Sequence, residues 1–466
     1  MATTKGSYVS GGFDLLKAPD SPTITSVTSG IGSASVAFTA PANVGGGAIT
    51  SYTVTAVNES TGASTGAVGS ASPATIALGV GTFKLRAAAT NVYGPGRVSA
   101  YNTGNVVTYS GANVRTWGYN NRGQLGTSNV ISRSSPVQVG ALTAWSQVSA
   151  GGYHTATTKT DGTLWAWGYN RYGQLGDGTV TYRSSPVQVG ALTTWSQVSA
   201  GSDHTAARKT DGTLWTWGYN PYGALGDGTQ TSKSSPIQVG ALTNWSQVSA
   251  RNKFTAAVKN DGTLWAWGYN RFGTVGDGTI TYKSSPVQVG GLTTWSQVSS
   301  GFNMTAAIKT DGTLWAWGDN SYGQLGTSNV INRSSPVQVG ALTTWSQVSA
   351  GNFYTAARKT DGTLWTWGSN GVGALGDGTV INRSSPVQVG ALTTWSQVSA
   401  GNSTAAIKTD GTLWTWGGNG VGALGDGTVI NRSSPIQVGA LTSWFRVSAG
   451  VISGGNNFTA ALYGVI

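Results

Sequence analysis

The side chains best suited to moving a proton in this 466-residue chain are two histidines, His154 and His204, the second preceded by Asp203. Such a pair could serve hydrolysis if a nucleophile stood within reach. The same register of the chain, however, holds Phe254, Met304, Tyr354 and Phe458 elsewhere, so a core or rim position that accepts any bulky group is the simpler reading. Glu59 is the one glutamate among 16 acidic residues. Most aspartates are turn formers: Asp161, Asp211, Asp261, Asp311, Asp361 and Asp410 sit in Asp-Gly pairs, and Asp177, Asp227, Asp277, Asp377 and Asp426 in Gly-Asp-Gly-Thr loops. One carboxylate per loop falls short of the clustered oxygens that calcium prefers. Gly371, Gly373 and Gly376 spell G-x-G-x-x-G, but no strand-to-helix context follows, so the dinucleotide fingerprint is not met. No catalytic residue, metal or cofactor is expected, and the chain reads as a non-enzyme.

What holds these residues is a repeat. A Trp-Gly pair recurs at Trp117, Trp167, Trp217, Trp267, Trp317, Trp367 and Trp416, and a second tryptophan opens W-S-Q-V-S or W-F-R-V-S at Trp145, Trp195, Trp245, Trp295, Trp345, Trp395 and Trp444. Two independent markers therefore count seven units of about fifty residues. Within each unit apolar residues alternate with period two, as in Leu164-Trp165-Ala166-Trp167, which strands require and helices do not. His154 to Lys159 joins the next run through Asp161-Gly162, a hairpin signal, and Pro186 to Val189 and Trp195 to Ser199 make four strands per unit. Radial stacking of such units gives a β-propeller. The array begins at Val114-Arg115-Thr116-Trp117, a second strand, and ends at Asn457 to Leu462, which matches a first strand, so the C-terminus is expected to supply the one strand missing from the first blade. All 20 tryptophans lie in the repeats, three per unit with Arg115 in place of one, and a core role is expected for them ahead of carbohydrate stacking.

The run D-G-T-L-W-A-W-G-Y-N-R-Y-G-Q-L-G-D-G-T, followed by S-S-P-V-Q-V-G and W-S-Q-V-S-A-G, resembles the RCC1 repeat family over residues 113–466. The resemblance implies a seven-bladed propeller. Its best-known member exchanges nucleotide on a small nuclear GTPase, while similar repeats in bacterial and phage proteins have binding or structural roles, so function does not follow from fold. The even spacing of units leaves no room for a protruding catalytic insert, which argues against exchange here.

Residues 19–110 lack tryptophan and the fifty-residue period, so they are expected to form a separate domain. Val36 with Phe38, Tyr52 with Val54, and Phe83, Leu85 and Ala87 each share a strand face. The succession S-V-A-F-T-A-P, G-G-G-A-I-T-S-Y-T-V-T-A and G-T-F-K-L-R-A-A-A-T-N-V-Y-G-P-G is similar to a fibronectin type III β-sandwich, with Phe83 where that family usually places a tyrosine. Residues 1–18 form an N-terminal arm in which Phe13, Leu15 and Leu16 could dock on a partner, or fray; a secretory signal is not expected there, nor a membrane span anywhere. The absence of cysteine leaves the redox compartment open.

Binding is more legible in what varies. Loop positions that differ between near-identical units are Tyr153, Tyr172, Asp203, Tyr222, Lys253, Phe272, Phe302, Tyr322 and Phe353, a set of aromatic and polar groups that suits sugar or protein surfaces; drift in exposed turns would vary the same positions. The net charge is +11, and one cation recurs in each unit at Arg133, Arg183, Lys233, Lys283, Arg333, Arg383 and Arg432. A ring of these would attract an anionic surface such as acidic polysaccharide, or serve only solubility; nucleic acid is disfavoured because no clustered basic run or recognition helix is visible. An Ig-like module ahead of a propeller is similar to modular surface proteins of tailed phages. The expectation is a virion structural protein, either tail fibre or capsid decoration, attached through residues 1–110 to other virion proteins and meeting host polysaccharide or protein, and possible as a homo-oligomer. A bacterial surface adhesin is the main alternative and a GTPase exchange factor a second.

Overall fold

The computed structural model describes residues 17–29, 32–79, 81–102, 106–108, 111–450 and 457–465; Phe13, Leu15 and Leu16 lie outside them. Its regular structure is all strand, and it divides into two compact units, one ending at Gly111 and one spanning Ala112–Tyr463.

In the N-terminal unit a three-stranded sheet (Thr23–Ser29, Ser33–Thr39, Ala74–Ala77) and a five-stranded sheet built on Ser51–Asn58 and Gly81–Asn91 share one core. Period-two alternation decides which side chains enter it: Val36, Val54, Ile76 and Leu85 are fully buried, and Phe38 meets Tyr52 with ring centroids 4.7 Å apart. Phe83 is buried in the same core. On the other side of its strand, Lys84 takes up the lone glutamate, Glu59, at 2.7 Å.

The second unit is seven four-stranded antiparallel sheets arranged as the blades of a propeller. Blade 1 runs from its inner strand a to its outer strand d as Trp145–Ala150, His154–Lys159, Leu164–Gly168 and Arg183–Gln188. Blades 2 to 6 repeat it from Trp195, Trp245, Trp295, Trp345 and Trp395. Blade 7 closes the ring: strands a and b are Trp444–Ala449 and Phe458–Val465, and strands c and d are Gly111–Gly118 and Arg133–Gln138. Closure is therefore two strands from each end, where the sequence led us to expect one from the C-terminus. The cause is a phase offset. W-S-Q-V-S pairs with the strand after it through a three-residue turn, as Ala150 does with Thr155, and takes no partner from the strand before it.

Around the axis the a strands are bound by side chains rather than by a ladder. Ser149, Ser199, Ser249, Ser299, Ser349, Ser399 and Ser448 each accept the backbone N–H of the a strand in the next blade, at 2.9–3.0 Å, and the seventh bond returns to Ala150. One layer below, Gln147, Gln197, Gln247, Gln297, Gln347 and Gln397 accept the N–H of the next blade's valine at 2.8–3.3 Å. The seventh position is Arg446, which has no acceptor to offer Val148. One layer above, six blades have glycine and blade 3 has Arg251, whose Nη2 crosses the axis to donate to the carbonyls of Ala350 (3.3 Å) and Ala400. Burial lowers the Arg251 pKa to about 10, so it is still charged at neutral pH.

Between blades, each c–d loop packs on the next blade. Gly176 has φ +76°, and a Cβ there would lie 2.6 Å from Trp217 Nε1, so only glycine fits. Trp167, Trp217, Trp267, Trp317 and Trp117 each donate Nε1–H to a backbone carbonyl of the preceding loop at 2.8–3.0 Å. These indoles and the Trp145 series are buried, while the Trp165 series is half-buried, with the lysine of strand b stacked on it at 3.7–3.8 Å in blades 2 to 6. Blade 7 inverts the pair, placing Arg115 over Tyr463 at 5.4 Å.

Two outcomes follow, and because every tryptophan lies in the repeats, indole fluorescence reads the propeller alone. Arg446→Gln should complete the glutamine layer and stabilise the propeller by about 1 kcal/mol, seen as a higher guanidinium midpoint; an unchanged or lower midpoint would show that the arginine is already accommodated. Ending the chain at Gly450 removes strand b of blade 7 and should abolish the single cooperative transition.

Candidate functional site

Antiparallel strands send successive loops to opposite faces, so the a–b and c–d loops of every blade share one face, here the upper one, and the Asp-Gly hairpins occupy the lower. On the lower face Asp161 Oδ1 accepts from Thr163 N–H and its hydroxyl, which in turn accepts Trp165 Nε1–H at 2.9 Å. These bonds hold the carboxyl below its ordinary range, as they do in Asp211, Asp261 and Asp311. The lower face is thus nearly the same in blades 1 to 6.

The upper face is not. Each c–d loop is built around a buried asparagine: Asn170 Oδ1 accepts Leu175 N–H, and Nδ2 donates to the Thr179 and Thr181 carbonyls and to Asp177. This fixed frame projects side chains that change from blade to blade. Tyr153, Tyr169, Tyr172 and Tyr182 of blade 1 continue into Tyr219 and Tyr222 of blade 2, then Tyr269, Phe272 and Tyr282 of blade 3, with successive ring centroids 4.5–6.5 Å apart. Cations rest on this belt: Arg122 lies 5.6 Å from Tyr169, Arg171 6.0 Å from Tyr172 and Lys253 5.0 Å from Tyr222. Burial raises the phenols of Tyr153, Tyr219 and Tyr269, and carries Tyr169 to about 12. Asp203 sits amid the belt; burial raises its pKa to about 6, against the pull of Lys253.

Six of the nine variable-loop residues named from the sequence, Tyr153, Tyr172, Asp203, Tyr222, Lys253 and Phe272, thus fall in one sector. Phe302, Tyr322 and Phe353 form a second, smaller cluster at 5.4–5.5 Å. Sequence reading missed Tyr169, Tyr219 and Tyr269, because they precede the buried asparagine in register and resemble scaffold. The signal was there in the later units, which carry Asp319, Ser369 and Gly418 at that position.

The ring of seven cations is not a ring of free charge. Arg183, Lys283, Arg383 and Arg432 pair with Asp177, Asp277, Asp377 and Asp426 of their own blades at 2.9–3.1 Å. Burial would raise these aspartates, but hydrogen bonds from threonine, asparagine and the cation outweigh it and depress them. In the loops before Arg133 and Arg333, Thr127 and Thr327 replace the aspartate. His154 and His204 are buried; burial lowers them to about 3 and about 4, and each bonds the threonine of the next blade, Thr205 or Thr255, at 2.8–3.0 Å. They are neutral parts of the blade interface.

A model of the Regulator of chromosome condensation (RCC1) repeat matches residues 113–157, 161–208, 211–258, 261–308, 311–358, 361–407 and 410–462. No curated protein sequence matches the chain. Among solved structures, human WBSCR16 is similar at 22% identity and a TM-score of 0.68, over 76% of this chain and 99% of that one. Prp20p of Saccharomyces cerevisiae is similar at 19% identity and a TM-score of 0.68, over 76% of this chain and 92% of that one; its structure is titled with binding properties to Gsp1p and histones.

Asp203 gives a pH test. A carboxyl raised from 3.8 to about 6 by folding stabilises the fold fully below its unfolded value, and that contribution is lost as pH rises through about 6. Asp203→Asn should therefore be more stable than the parent at pH 7.5, by roughly 2–3 kcal/mol, and equal to it at pH 3.5. Tryptophan-detected guanidinium unfolding at the two pH values checks this; an equal difference at both would contradict it.

Proposed function

The chain belongs to the RCC1 repeat family, and we propose that it uses that fold as a non-enzymatic surface protein of a tailed phage, displayed on the virion as a tail fibre or capsid decoration. The observation that carries this reading is polarity. Strand c of blade 7 begins at the lower face, so the polypeptide enters the propeller on the side opposite the variable loops. We read the N-terminal unit as a fibronectin type III-like sandwich that attaches the chain to the particle, and the variable loops as an aromatic and cationic surface for a host glycan or protein. Tyrosine faces stack on sugar C–H groups, and cations on the same belt favour acidic ones.

A second reading takes its support from the family: the solved Prp20p structure is titled with Gsp1p binding, and an RCC1-fold propeller here could accelerate nucleotide exchange on a small GTPase. Acceleration of nucleotide release by the purified chain would favour it.

Antibody to the purified chain, located with gold on intact phage particles from the same source, should label tail tips or heads. Label on bacterial envelopes and none on particles would replace the virion reading with an adhesin. Tyr172→Ala with Tyr222→Ala should weaken binding of the chain to host cells at least tenfold while leaving its thermal transition in place.

A further inference from the structure

The upper face holds a second feature, a cleft of about 490 Å³ at blades 5, 6 and 7, lined by Asn352, Phe353, Ser369, Val372, Gly418 and Asn457 among others, none of them charged. It exists because blade 6 carries small residues where most of its siblings carry large ones. Gly418 occupies the register of Tyr119, Tyr169, Tyr219 and Tyr269, and Gly420, like Gly371 of blade 5, that of Arg171 and Arg271. Ser403 stands where the other blades bury His154, His204, Phe254, Met304, Tyr354 and Phe458. The small residues Gly418 and Ser403 leave space in one sector, and amides line it. Asn457 Nδ2 reaches Ser403 Oγ at 3.2 Å and the Gly418 carbonyl at 3.4 Å. Asn431 Oδ1 accepts Asn419 N–H at 2.7 Å, leaving its amide N–H groups for the cleft. Asn352 Oδ1 is buried and has no hydrogen-bond partner.

We propose that this cleft binds a neutral pyranose at the end of a glycan, a proposal that rests on the reading of the upper face as a recognition surface. A purely apolar ligand would strand the amides without partners, and an ion would find no counter-charge in the lining. A sugar ring offers both an apolar C–H face, for Phe353, Val372 and Val421, and hydroxyls that donate to Asn352 Oδ1 and accept from amide N–H groups. The cation-bearing belt of blades 1 to 3 suits a different, acidic ligand, so the two sectors divide the face by charge.

The test is saturation-transfer NMR on the full chain with methyl pyranosides of glucose, galactose, mannose and N-acetylglucosamine. At least one should receive saturation, and Gly418→Tyr, which installs the residue of blades 1 to 3, should weaken it at least tenfold. That variant has room to fold, because a Cβ at Gly418 meets nothing nearer than Val372 Cγ2 at 3.5 Å; Asn352→Ala should weaken the same signal. Tyr172→Ala should leave it intact. Saturation of none of the four, or a signal that survives Gly418→Tyr and Asn352→Ala, would overturn the proposal, as would equal loss in Tyr172→Ala. Sugar binding by a chain that fails to label particles would support the cleft and remove only the virion reading.

Discussion

Seven serine hydroxyls, each accepting the backbone N–H of the next inner strand, close a circle around the axis of this propeller. At roughly 1 kcal/mol each, no single bond matters much. Their geometry does: every a strand is held in the same relation to the next, which places the a–b loop of one blade beside the c–d loops of its neighbours. The tryptophan of each strand c, seated on the glycine of the preceding loop, repeats that relation farther from the axis. Loops distant in sequence become one surface only because this spacing is fixed.

On such a frame, variation is inexpensive wherever it stays on the upper face. The lower face repeats one hydrogen-bonded unit of aspartate, threonine and tryptophan, while the upper face carries tyrosines in blades 1 to 3, phenylalanines at blades 4 and 5, and an open amide-lined cleft around blade 6. The scaffold is close to sevenfold, but its chemistry is not. Even the axis is asymmetric, since Arg251 and Arg446 each break a layer that the other blades keep uniform.

Much of this was legible beforehand because it depends on period. Two tryptophan series, Asp-Gly hairpins and period-two alternation are local signals, and they were enough for seven four-stranded blades closed by the chain ends. The closure pattern was not legible, because a repeat read from sequence has no natural starting point, whereas a blade begins where a tight turn forces pairing. The ion pairing along the basic rim was not legible for a related reason. Arg183 and Asp177 are six residues apart across a loop, and only the loop's folding on Asn170 shows that they meet. The cleft was invisible because it consists of missing atoms: what Gly418 and Ser403 lack matters only once their neighbours are in place.

Entry and exit of the chain in blade 7 have a mechanical consequence. Strand c, the entry strand, is flanked by strand b on one side and strand d on the other, and antiparallel hydrogen bonds run perpendicular to the strands. Tension between the start of that strand and a grip on the upper loops acts along its length, so both ladders are loaded in shear together rather than unzipped bond by bond. Pulled between its entry strand and its upper loops, the propeller therefore resists unfolding along the direction in which its blade 7 ladders are strongest.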